Sequence, residues 1–113
     1  MQSDQFRRMA LSLPDVTEFS HMAHPDFRVN GKIFATLEWP DESWGMVKLS
    51  PEEQRYFIQT YPNVFVPVKG AWGLQGSTNV RLSAAETPVL EEAMTAAWKK
   101  ARSVKSRPRR ARS

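Results

Sequence analysis

The sequence predicts an α+β fold, a two-layer sandwich in which three helices cover one antiparallel sheet of about five strands, in the order α-β-β-β-α-β-β-α. Three observations predict it. Strand-like segments follow one another through short turns, and helical apolar spacing occurs at both ends and in the middle of the chain. The 113 residues, of which 41% are hydrophobic, suffice for one domain with one core.

Helices are predicted at three places in the chain. Over residues 3–13, apolar residues recur at intervals of three and four, Ser3 can act as N-cap, and Pro14 stops the helix. The segment Ser50-Pro51-Glu52-Glu53 combines an N-cap, a proline at the first helical position and a capping-box glutamate, which predicts a helix to about residue 60. A cap-then-proline pair, Thr87-Pro88, predicts a last helix to about Ala101.

Strands are predicted between these helices. Asn30-Gly31 readily adopts the positive φ angles of a type I′ turn, so it predicts a hairpin between residues 27–29 and 32–39. A weaker strand pattern covers residues 17–22, and the glycine-spaced residues 69–76 predict a loop. Further strands are predicted over residues 44–49, 64–66 and 78–82.

Positive charge is concentrated at the C-terminal end of the chain. Residues 99–113 hold eight basic residues and no acidic one, leaving eight basic against all twelve acidic residues, a net charge of −4, in residues 1–98. With little apolar content to bury, residues 102–113 are expected to be a disordered basic tail on a folded domain of residues 1–101. Such a tail attracts polyanions and binds phosphates without reading bases.

Several classes of function have no support in the sequence. The chain has no cysteine, which excludes disulfides, thiol catalysis and cysteine-based metal sites. No nucleophile elbow, phosphate-binding glycine loop or paired-carboxylate motif is present, and His21 and His24 have no evident third ligand. We therefore expect a non-enzymatic protein with no metal and no cofactor. Without a signal pattern or a membrane-spanning stretch, we expect a cytoplasmic monomer that does not contact membranes.

Four stretches together are similar to the MmcQ/YjbR family: residues 10–14 (ALSLP), 24–35 (HPDFRVNGKIFA), 49–53 (LSPEE) and 72–82 (WGLQGSTNVRL). The resemblance spans roughly residues 5–101, in the family's order. It implies a fold like that of bacterial frataxin (CyaY) and the description DNA-binding protein, with no established enzyme activity. The basic tail lies outside this resemblance and inherits nothing from it.

The leading hypothesis is weak, largely sequence-nonspecific DNA binding. Within the folded domain, Arg28 and Lys32 lie on the two arms of the predicted hairpin, and Arg81 is the third candidate for a phosphate-binding patch. The tail would add its own cations, namely Lys105, Arg107, Arg109, Arg110 and Arg112.

The alternative hypothesis is a small-molecule or peptide-binding module. Here Trp72, His24 and Arg28 would line a cleft in which Trp72 stacks on a ring. A purely structural interpretation remains beside it, with Trp72 packed on the sheet and Gly73 and Gly76 permitting a turn. A catalyst whose residues meet only in three dimensions is the third option.

Overall fold

Six antiparallel strands form one sheet in the order β1-β2-β3-β4-β6-β5. The computed structural model describes residues 1–21, 24–39 and 41–105. The strands are β1 (Val16–His21), β2 (His24–Val29), β3 (Lys32–Leu37), β4 (Trp44–Lys48), β5 (Phe65–Pro67) and β6 (Ser77–Arg81). The helices are α1 (Ser3–Leu11), α2 (Pro51–Thr60), α3 (Ala71–Leu74) and α4 (Thr87–Lys105).

The predicted α+β class is confirmed, with one strand more than expected. The weak pattern at residues 17–22 belongs to β1, which pairs with β2 along its whole length, from Val16 opposite Val29 to His21 opposite His24. Met22 lies outside the described residues. The hairpin turn forms as predicted, since Asn30 and Gly31 have φ angles of 54° and 78°.

The α2 capping box is also confirmed. The Ser50 hydroxyl accepts a hydrogen bond from the Glu53 backbone N–H at 3.1 Å, and the Glu53 carboxylate accepts one from the Ser50 backbone N–H at 3.0 Å. Helix α1 ends at Leu11, two residues before the predicted end, and its predicted N-cap is wrong by one residue. Gln2, not Ser3, is the N-cap, and its backbone N–H donates to the Gln5 side chain at 3.0 Å.

The segment 69–76, predicted as loop, contains the short helix α3. Gly70 has a φ of +81°, and its carbonyl accepts a hydrogen bond from the Leu74 backbone N–H at 3.2 Å. A Cβ at Gly73 would lie 1.7 Å from the Val68 carbonyl oxygen, so no other residue fits this approach. The glycines that argued against a helix therefore make this tight turn possible.

Helix α4 continues to Lys105, four residues beyond the predicted end at Ala101. Ala101 is buried, and the Arg102 guanidinium carbon lies 4.9 Å from the centre of the Trp98 ring, so packing continues past the predicted boundary. Residues 106–113 lie outside the described residues.

The core lies between the helices and one face of the sheet. Phe6 of α1 packs so closely against β4 that a Cβ at Gly45 would lie 2.6 Å from its ring. Leu90, Met94 and Ala97 of α4 are fully buried. Burying a side chain of the size of Phe, Leu or Met stabilises the fold by about 1.5–3 kcal/mol, so this layer holds the sheet rigid beneath the charged residues discussed next.

Candidate functional site

The face of the sheet opposite the core carries the predicted site residue Arg28. Successive strand residues point to opposite faces, and Phe27 packs on Phe6 with ring centres 6.2 Å apart. Asp26 and Arg28 therefore lie on the other face, where Asp26 stands opposite Phe19 of β1. An acidic and a basic side chain are therefore neighbours on the face that points away from the core.

The Arg28 guanidinium is engaged within the molecule. Its Nε donates to Asp26 Oδ1 at 2.8 Å and its Nη2 donates to Asp26 Oδ2 at 3.3 Å. Its central carbon lies 4.4 Å from the centre of the Phe19 ring. Hydrogen bonding to Asp26 raises the pKa of Arg28 above its ordinary value. Asp26 is only 3% exposed, so the positive charge of Arg28 compensates a buried carboxylate. Arg28 is therefore poorly suited to bind a ligand.

The predicted patch of Arg28, Lys32 and Arg81 does not assemble. The register places Arg28 opposite Ile33 and Lys32 opposite Val29, so Arg28 and Lys32 point to opposite faces of the hairpin. The two-residue turn at Asn30-Gly31 fixes this pairing, and the bulge between Phe27 and Arg28 shifts only the residues farther from the turn.

Arg81 lies at the far end of the same sheet. It stands opposite Trp44, the first residue of β4, whereas Lys32 belongs to the end of the sheet where β4 terminates. Its guanidinium carbon lies 4.7 Å from the Trp44 ring centre, and its Nε donates to the Asn63 carbonyl at 3.2 Å. Three strand spacings, about 14 Å, separate β2 from β6.

A different set of cations does converge. Lys32 at the start of β3, Lys48 at the end of β4 and Lys100 near the end of α4 line one cavity of about 220 Å³, together with Ile33 and Ala101. Burial, followed by the neighbouring charges of Lys100 and Lys32, lowers the pKa of Lys48 below its ordinary value. We call Lys32, Lys48 and Lys100 the lysine cluster.

Sequence reasoning missed two members of the lysine cluster. Lys48 ends a strand and Lys100 belongs to a long helix, and neither has a basic motif around it that points to the other. Lys100 is one of the basic residues that follow residue 98, but the sequence does not show which residues it lies near in the fold. Lys105 is the last residue of α4, and Arg107, Arg109, Arg110 and Arg112 lie outside the described residues.

The residues of the alternative cleft lie far apart. Trp72 is on α3, which contacts β6, whereas His24 and Arg28 are on β2, with β3 and β4 between them. Trp72 is 70% exposed and does not pack on the sheet, contrary to the structural interpretation. The glycines fit that interpretation, because a Cβ at Gly76 would lie 1.8 Å from the Leu49 carbonyl oxygen.

His24 packs against Trp39 with ring centres 4.9 Å apart and nearly perpendicular planes. Its Nδ1 atom is buried and has no hydrogen-bond partner among the described residues. In residues 1–21, 24–39 and 41–105, no three His, Asp or Glu side chains are grouped as a metal site requires. Across the same ranges, no helix has the length and apolar character needed to cross a bilayer.

Comparison with known proteins agrees with the fold and the sequence motifs. The family model described as YjbR matches residues 11–100. A solved structure of the Deinococcus radiodurans protein DR2400, described with the domain DUF419, is similar with a TM-score of 0.74 at 17% identity, covering 98% of this chain and 84% of that one. At this identity the likeness shows the fold alone. No curated protein matches significantly.

Proposed function

The chain belongs to the YjbR family, and on that premise we propose that it is a non-enzymatic protein that binds the phosphate backbone of duplex DNA weakly and without sequence preference. In this proposal it acts as a cytoplasmic monomer. The observation that carries the proposal is the position of the lysine cluster beside the last turns of α4, where the basic C-terminal sequence begins.

The proposal combines two sources of positive charge that are close in sequence. Lys105 follows Lys100 by five helical positions, which is about 7.5 Å along the axis. Residues 106–113 then contribute four arginines and no acidic residue. A backbone phosphate at the lysine cluster would leave its neighbours along the duplex within reach of these arginines, because phosphates on one strand are separated by only a few ångströms along the helix axis.

The electrostatic contacts that support the proposal do not read bases. Lysine ammonium groups bind phosphate as point charges, and the arginine-rich segment has no aromatic rings on which unpaired bases could stack. We therefore expect binding that depends strongly on salt and little on sequence. If about five cations contact phosphates, the logarithm of affinity falls with the logarithm of salt concentration at a slope of about −4 to −5.

The test is a titration of labelled duplex DNA at two or more salt concentrations. The full chain is compared with a chain ending at Lys105, which keeps α4 whole, and with a full-length variant in which the four tail arginines are serine. We expect the salt slope to become shallower by about 3 to 4 in both, because each phosphate contact contributes about 0.9. Unchanged affinity in both would remove the tail from the mechanism, and no binding by the full chain would overturn the proposal.

The alternative, peptide or small-molecule binding, keeps one supporting observation. Trp72 and Leu74 on α3 are 70% and 82% exposed, which is unusual for large apolar residues. Without His24 and Arg28 nearby, such a surface would contact an apolar group. A ligand-induced change in tryptophan fluorescence that disappears in Trp72→Ala, with the fold intact, would favour it.

A further inference from the structure

The cavity beneath the lysine cluster is bounded by three segments that are distant in sequence. Its wall consists of Lys32 and Ile33 from β3, Lys48 from β4, and Lys100 and Ala101 from α4. Both strands and the helix are anchored in the core, since Val47 is fully buried and Ala101 is 8% exposed. The backbones of the three lysines are therefore positioned by strands and a helix and not by loops.

Among the described residues, no ion pair compensates these charges. The lining of the 220 Å³ cavity includes no acidic residue. The ion pairs of the described residues join Arg7 to Asp4 and Glu18, and Arg28 to Asp26, and none involves the lysine cluster. Acidic residues line the neighbouring groove of about 950 Å³, which Lys100 also borders; they are Glu53, Glu91 and Glu92. They form no ion pair with Lys100 within the described part of the chain.

Three like charges around a half-buried space destabilise the folded state unless an anion joins them. The chemistry of the space favours phosphate. A volume of about 220 Å³ has room for one phosphate group and a few waters. Nine N–H donors on three lysines can supply the several oxygen acceptors of a phosphate. Ile33 and Ala101 offer no competing polar group.

We propose that Lys32, Lys48 and Lys100 form a binding site for one phosphate group of a phosphate ester. The ester is either the backbone of DNA or a small phosphorylated molecule. The first source rests on the proposed function and assigns one backbone phosphate to this cavity. The second is independent of DNA binding. In both, Lys48 is the central residue, because the charges of Lys100 and Lys32 both act on it.

The first arm of the test uses inorganic phosphate as the probe, at constant ionic strength, with the full chain. Binding is followed by calorimetry and by the rise in melting temperature. Lys48→Met should weaken phosphate binding about tenfold or more, which corresponds to one charge-assisted hydrogen bond. Lys48→Arg should retain most of the affinity, and Lys69→Met, which removes an exposed lysine outside the cluster, should leave it unchanged. Equal affinities for the full chain and Lys48→Met would overturn the site.

The second arm titrates duplex DNA against the same variants. A loss of DNA affinity in Lys48→Met but not in Lys69→Met would identify the nucleic-acid backbone as the source of the phosphate. Unchanged DNA affinity, with phosphate binding lost, would identify a small phosphate ester. Absence of DNA binding by the full chain, with phosphate binding intact, would overturn the proposed function and leave this site standing.

Discussion

Arg28 and Lys48 lie on strands separated only by β3, yet their charges have different surroundings. Arg28 makes a two-pronged contact with the buried carboxylate of Asp26 and lies over the Phe19 ring. Lys48 has only cations as charged neighbours in the lining of its cavity, and their repulsion contributes to lowering its pKa. Of these two half-buried basic residues, one therefore pairs with a carboxylate of the fold, and the other is the residue that we propose to bind an anion.

The comparison shows that the count of basic residues on a domain does not predict its anion-binding surface. Residues 1–98 contain eight basic residues, but several are occupied by internal contacts: Arg7 with Asp4 and Glu18, Arg28 with Asp26, and Arg81 with Trp44 and Asn63. What distinguishes the lysine cluster is not more charge but the absence of a carboxylate in its cavity lining. Three measurements test whether Arg28 and Lys48 differ in this way.

The largest effect is expected from Arg28→Met. The variant leaves the Asp26 carboxylate buried without its partner, so the free energy of unfolding should fall, and by more than any change described below. Chemical denaturation at neutral pH measures the change. Arg28→Lys keeps the charge but not the planar fork, and should lose about half as much. If Arg28→Met were as stable as the native chain, Arg28 would not serve the fold, and its charge would be available to a ligand.

Lys48→Met should change stability in the opposite direction. The substitution keeps an apolar stem of similar length and removes one of three repelling charges, so the free energy of unfolding should rise by about 0.5–1 kcal/mol in phosphate-free buffer. The same denaturation experiment measures it. In 1 M NaCl the gain should shrink, because the screening length falls to about 3 Å. A loss of stability at low salt would show that Lys48 has a compensating partner.

The smallest expected effect is the contribution of Lys48 to the pH dependence of the free energy of unfolding, which is about a few tenths of a kcal/mol. Its native pKa is lowered, whereas in the unfolded chain it lies near 10.5. Between these values the unfolded chain binds more protons, so the free energy of unfolding rises with pH through this window. Denaturation of the native chain and Lys48→Met between pH 7 and 10.5 should show their difference shrinking as pH rises. A constant difference would contradict the repulsion.

Local patterns were enough to predict most of the elements. The Asn30-Gly31 turn and the Ser50 capping box each depend on residues within four positions of one another, and both form as predicted. The exceptions occur where one local pattern is compatible with two structures. Glycine spacing at residues 70–76 is compatible with a loop or with a tight helical turn, and only the approach of Val68 to Gly73 selects the turn.

The candidate site was much less predictable. The sequence placed Arg28 and Lys32 on the two arms of one hairpin, but Lys32 pairs with Val29, the neighbour of Arg28, so the two side chains lie on opposite faces. His24, Arg28 and Trp72 share a family-like pattern without sharing a cleft, because α3 lies beside β6 and not beside β2. Lys48 carried no local feature that singled it out.

By itself, the sequence determined the fold class, the family and the segregation of basic residues at the C-terminal end, because apolar spacing, turn residues and net charge are properties of short stretches of chain. Only the tertiary structure decided which cations are compensated. Ion pairing depends on separations of a few ångströms between residues such as Lys32, Lys48 and Lys100, which lie up to 68 positions apart and meet only when the register of the sheet and the packing of α4 are set.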